Sequence, residues 1–226
     1  KNESNKLNHI MQNNLIDKQL VDTTMAQCGV SNLDDASIRD TVKIANLLEK
    51  ATGEKFIRME MGVPGLAPSR IGTEAEIEAL KHGVAQFYPM LEGYPVLSEE
   101  ASRFVKNFMD VDIRPEGIIP TVGAMQASYV AFMALTECHK GKDTILLEDL
   151  AYFAMDFRKD LSHPGKAPFQ PTVAKYTDNY IFMISSSKLF SYAGQRLGLL
   201  CISDALFHKK YEHLKERYKA DKLGYT

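Results

Sequence analysis

Three residues at fixed spacing carry the clearest chemical signal in this 226-residue chain: Ser185, Lys188 and Arg196. Lys188 comes just after the apolar run Tyr180 to Ile184 and the serines Ser185, Ser186 and Ser187. Gly194, Arg196 and Gly198 follow it. Partial shielding from water disfavours an ammonium and leaves a neutral amine able to attack a carbonyl carbon. Lys188 is therefore a candidate covalent amine. The planar fork of an arginine fits a dianionic phosphate better than a lysine does. An isolated Ser-x-x-Lys would be an ordinary surface turn. The glycines and the arginine at these distances set this stretch apart.

Helical patterns alternate with short apolar runs along the chain, which predicts an α/β architecture. Helices are expected over 34–49, after Thr73 and Glu76 as a capping box, after Ser98 as an N-cap, from Gly123 to about Leu135, and over 203–218. Strands are expected over 56–61, 118–122, 145–149, 180–184 and 197–202, with a loop over 165–171. Ligand sites of open α/β sheets lie beyond the carboxyl ends of the strands. Gly123, Asp149 and Lys188 all fall there. A glycine opening a helix leaves free backbone N–H groups that face an anion, so Gly123, Ala124 and Met125 are candidate anion binders.

The stretch from Ser185 to Gly198 resembles the pyridoxal phosphate (PLP) attachment motif of class I and II aminotransferases. Further segments match that family in its order. Met61-Gly62-Val63-Pro64-Gly65 is similar to its Gly-x-Pro segment, and Tyr88-Pro-Met-Leu-Glu-Gly-Tyr-Pro95 to its tyrosine loop. Thr121 to Ala127 resembles its phosphate cup, and Asp149-Leu-Ala-Tyr152 its Asp-x-x-Tyr element. The resemblance runs from about Leu15 to Tyr218. It implies a PLP-dependent transferase of fold type I: a three-layer αβα large domain with a mostly parallel sheet. Lys188 would carry the cofactor as a Schiff base, Asp149 would pair with the pyridine nitrogen, and Tyr152 would bond the phenolic oxygen. Ser185, Arg196 and the helix start at Gly123 would hold the phosphate. Tyr88 would reach the phosphate of the neighbouring subunit of a homodimer, and Gly62 would lie on the substrate side. Transamination between an amino acid and a 2-oxo acid is the implied reaction. Another fold-type I activity, such as C–S lyase β-elimination, and a non-catalytic ligand sensor are the alternatives.

The expected organisation is an N-terminal tail and helix over 1–50, part of the small domain, a PLP-binding large domain over 51–202, and a helix over 203–226 leading into a small domain that is largely absent. Compared with the family, the chain also lacks a ring-stacking aromatic and an Asn-Pro element between the helix ending near Glu137 and the strand at Ile145. The joins near 143–145 and 218–220 are where a longer polypeptide is expected to carry further residues.

Composition narrows the function further. A net charge of −2 and a pI near 6.3 leave no electrostatic footprint for nucleic acid or an anionic membrane. No apolar run is long enough for a bilayer, and Lys1 to Asn14 has no signal-peptide core. Three dispersed cysteines fit a reducing cytoplasm. No metal site is expected: His208 and His213 fall on different helix faces. Gly-x-Gly-x-x-Gly, the dinucleotide fingerprint, is absent.

Overall fold

A computed structural model of the protein describes residues 16–138, 144–209 and 214. The chain divides into two compact units, Lys1–Val63 and Pro64–Thr226.

In the first unit two helices are described, α1 (Lys18–Gln27) and α2 (Ile38–Thr52). Ser37 caps α2 in a reciprocal box with Asp40, and Gly53, at φ 78°, ends it in the left-handed conformation. Thr24, Ile44 and Leu48 are the buried residues of this unit. The strand expected over 56–61 does not form. The backbone there joins no ladder, and Ile57 and Met59 are exposed. An apolar run is a strand only where a neighbouring edge accepts its hydrogen bonds.

The second unit is built from α3 (Arg70–Lys81), α4 (Pro95–Met109), β1 (Ile118–Val122), α5 (Gly123–Cys138), β2 (Leu146–Leu150), β3 (Tyr180–Ser185), α6 (Ser186–Leu189), β4 (Leu197–Ile202) and α7 (Asp204–Phe207). The strand order is β1-β4-β3-β2. β2 and β3 pair in parallel, and β4 is antiparallel to both of its neighbours. β1, β2 and β3 therefore run one way and β4 runs against them. The connection from Ser186 to Arg196 is too short for the crossover that a parallel β4 would need. This reversed strand qualifies the expected mostly parallel sheet.

Two cores flank the sheet and give three layers. Ala101, Val105 and Met109 of α4 pack on Ile118, Tyr180, Phe182, Ile184 and Cys201. On the opposite face, Ala127 and Ala131 of α5 pack on Ile181, Met183 and Leu200. β3 is buried along its whole length, because its side chains alternate between the two cores. Burial pushes the Tyr180 phenol up to about 12 and raises the Cys201 thiol.

Three expected helix starts are corrected. α2, expected from 34, begins at Ile38 after the Ser37 cap. α3 begins at Arg70, so Thr73 and Glu76 lie inside it and do not form a capping box; the Thr73 hydroxyl donates to the Ser69 carbonyl. α4 begins with Pro95 at its first position, and Ser98 is inside the helix, where its buried hydroxyl donates to the Ile118 carbonyl at 3.3 Å. Ser203 does cap a helix, the short α7, as expected, and residues 210–213 and 215–218 of the expected helix lie outside the described residues. Lys1–Asn14, the join at 139–143, His213 and most of 210–226 lie outside the described residues. No helix among the described residues is long and apolar enough to cross a membrane.

Phe182 is fully buried in the central strand and stacks on Tyr180 with ring centroids 5.7 Å apart. Replacing it with alanine should cost about 3–5 kcal/mol. Urea denaturation reads this directly; a loss below about 1 kcal/mol would contradict the assigned core.

Candidate functional site

Strand direction determines which residues meet. The carboxyl ends of β1, β2 and β3 and the amino end of β4 share one edge of the sheet. Gly198, at the start of β4, is in register with Thr121 on one side and Ser185 on the other. On β2, Asp149 is in register with Met183 of β3, and Leu150 with Ile184. Gly123, Asp149, Ser185, Lys188 and Arg196 all come to this edge.

At its centre the backbones of β4 and α5 touch. A methyl group on Gly198 would stand 2.5 Å from the Gly123 carbonyl carbon and 2.8 Å from the Ala124 nitrogen, so only glycine fits. Gly123 itself, at φ 75°, turns the chain from β1 into α5. The guanidinium of Arg196 lies over this glycine: a Gly123 methyl would be 2.5 Å from Nη2. Arg196 is held there by a left-handed backbone, φ 56°, and by Nη1 donating to the Ala193 carbonyl at 2.9 Å. An exposed guanidinium thus sits at the amino end of a 16-residue helix, where unpaired backbone N–H groups also favour an anion. Gln126 reaches back from the first turn to accept from the Val122 N–H at 2.6 Å, and Thr121 Oγ1 donates to the Gly123 carbonyl at 3.1 Å.

Lys188 lies on α6, the single turn that continues β3. Its Nζ stands 5.9 Å from the centroid of the Tyr152 ring, within range of a cation–π contact. Tyr152 follows β2 and Lys188 follows β3, so the parallel pairing brings them to the same end. Asp149 is exposed; its Oδ1 accepts from the Ala151 N–H at 2.9 Å and shapes the turn towards Tyr152. The hydroxyl of Ser185 is buried and used locally. It accepts from the Ser187 N–H at 3.1 Å as the N-cap of α6 and donates to Ser187 Oγ at 2.8 Å. Ser187 is the more accessible of the two hydroxyls.

Other expected residues have exposed side chains or belong to the first unit. Met125 is 79% exposed. Tyr88 is fully exposed, in a loop secured to β1 where Gly93, at φ 92°, lies against Pro120. Gly62 belongs to the first unit. The sequence reading did not single out Gly198 or Gln126 as site residues. Gly198 was recognisable only as one glycine of the spacing, because its role depends on a backbone contact with residue 123.

The donors fit a phosphorylated aldehyde cofactor such as PLP: an accessible guanidinium and a helix start form an anion cradle, with a lysine amine beside an aromatic ring and a carboxylate near by. No family model matches the sequence. A 131-residue stretch, 57% of this chain, is 31% identical to an aspartate aminotransferase from Pyrococcus horikoshii and spans 32% of that protein. An 86-residue stretch, 38% of the chain, is 26% identical to an asparagine–oxo-acid transaminase of Streptococcus mutans and spans 22% of it. Among solved structures, an alanine aminotransferase from Pyrococcus furiosus superposes with a TM-score of 0.62 at 19% identity, covering 80% of this chain and 64% of that one. The Thermus thermophilus aspartate aminotransferase with maleate gives 0.57 at 14% identity, covering 76% and 63%. The chain thus spans about a third or less of the curated relatives and under two thirds of the solved ones. It has the fold of these aminotransferases and resembles the class I/II family in sequence.

Gly198→Ala should lower stability by about 1–3 kcal/mol, because the obstacle is backbone rather than a movable side chain. An unchanged denaturation midpoint would show that β4 and α5 do not approach this closely.

Proposed function

We propose that the protein is a PLP-dependent aminotransferase that moves an amino group between an amino acid and a 2-oxo acid. The observation that carries this reading is the Arg196 guanidinium lying over Gly123 at the start of α5, on the sheet edge that also presents Lys188 and Asp149. The names of the similar proteins, acting on aspartate, alanine and asparagine with oxo acids, support the substrate class.

In this reading Arg196 and the N–H groups at Gly123, Ala124 and Met125 bind the cofactor phosphate, with Ser185 and Ser187 on the side of α6. Lys188 supplies the amine that bonds the cofactor aldehyde carbon. When the cofactor is bound, its ring supplies an electron sink for negative charge developing at the substrate α-carbon. Asp149 would pair with the ring nitrogen and keep it protonated, and Tyr152 would orient the phenolic oxygen. The amine of Lys188 would take a proton from the substrate α-carbon as base and return it as acid. Arg196 would hold the phosphate.

We further propose a homodimer in which the fully exposed Tyr88 serves the neighbouring subunit, and Gly62 as a substrate-side residue. We assign the chain to the large domain of such an enzyme, with residues 1–50 contributing to the small domain. The unpaired Cys28, Cys138 and Cys201 fit action in the reducing cytoplasm.

Adding PLP should produce a visible absorption band that Lys188→Ala abolishes. Arg196→Ala should weaken PLP at least about tenfold, the value of one charge-assisted hydrogen bond. Amino donors should then change the band, and 2-oxoglutarate should restore it. A band insensitive to Lys188→Ala would contradict the site, and a band that no amino acid alters would contradict transamination.

A further inference from the structure

We propose that Tyr192, held by Glu76 of α3, is a positioning residue that fixes Arg196 for phosphate, an inference that rests on the cofactor reading above. The hydroxyl of Tyr192 donates to Glu76 Oε2 across 116 residues of sequence. Thr73 and Glu76 are the least exposed residues of α3, and no side chain of the helix is buried. The side of α3 that carries Glu76 is the one that meets Tyr192. The hydrogen bond to Glu76 holds the phenol above its ordinary range.

The reason lies in the connection between Lys188 and Arg196. Two of its non-glycine residues, Ser191 at φ 51° and Arg196 at φ 56°, hold left-handed backbone that L-residues disfavour. Such a conformation persists only where surrounding contacts determine it. Near Lys188, the Tyr192 N–H donates to the Ser186 carbonyl at 3.3 Å. Tyr192 then opens the 3-10 turn Ala193–Gln195, whose first carbonyl receives Arg196 Nη1 at 2.9 Å. Tyr192 is thus the hinge post from which the Arg196 side chain is set over Gly123, and its hydroxyl is the tie that reaches another element. Glu76, which the sequence offers as half of a capping box, performs this task from inside the helix.

The test compares Tyr192→Phe, Glu76→Ala and Glu76→Gln with the unsubstituted full chain. Affinities for PLP and for pyridoxal, which lacks the phosphate, are measured by absorption, and backbone hydrogen exchange across 189–196 is followed without ligand. Tyr192→Phe and Glu76→Ala should weaken PLP about five- to tenfold, leave pyridoxal unchanged and speed exchange in 189–196. Glu76→Gln keeps an acceptor oxygen and should stay near the unsubstituted values. A merely structural contact would weaken both ligands alike, and that result overturns the proposal. Equal PLP affinity and equal exchange in all variants overturn it while leaving the cofactor reading intact. No band with the unsubstituted protein contradicts the cofactor reading and this proposal with it.

Discussion

Gly198 approaches the Gly123–Ala124 peptide so closely that no side chain fits between β4 and α5. That contact sets the depth at which α5 begins behind the sheet edge. It also brings the residue two positions before Gly198, Arg196, over the helix start. The anion cradle is therefore a product of backbone packing, and its electrostatics follow: a guanidinium and the positive end of a helix converge where α5 leaves β1. The reversed direction of β4 is what makes this geometry available, because its amino end meets the carboxyl ends of the other strands.

The rest of the edge depends on the buried centre of the sheet. β3 feeds both cores, through Phe182 on one face and Met183 on the other, and stays buried to its end at Ser185. Lys188 follows on a one-turn helix, held in place by the strand beneath it and by the Ser185 cap. The parallel partner β2 carries Asp149 and Tyr152 out at the same level. Strength at the centre of the sheet thus supports polar chemistry at its edge.

Much of this site was legible in the sequence, since its signals are local. Ser185, Lys188, Arg196 and the glycines lie within one short stretch, and Gly123 and Asp149 each follow an apolar run that does form a strand. What was hidden depends on long-range contacts. Thr73 and Glu76 have the spacing of a capping box whether they open a helix or sit inside one; the partner that distinguishes the two, Tyr192, is 116 residues away. Ser98 looks like a cap until Pro95 is seen to start the helix earlier. Residues 56–61 have the composition of a strand without an edge to join. The direction of β4 follows from the length of its connection rather than from its own residues.

The most direct measurement is to incubate the protein with PLP, reduce with borohydride and locate the pyridoxyl group by peptide mass mapping. The account predicts the label on Lys188, with little on other lysines, and its loss when excess inorganic phosphate competes for the cradle beside Arg196. Label spread over surface lysines, or fixed on a lysine away from this sheet edge, would contradict it.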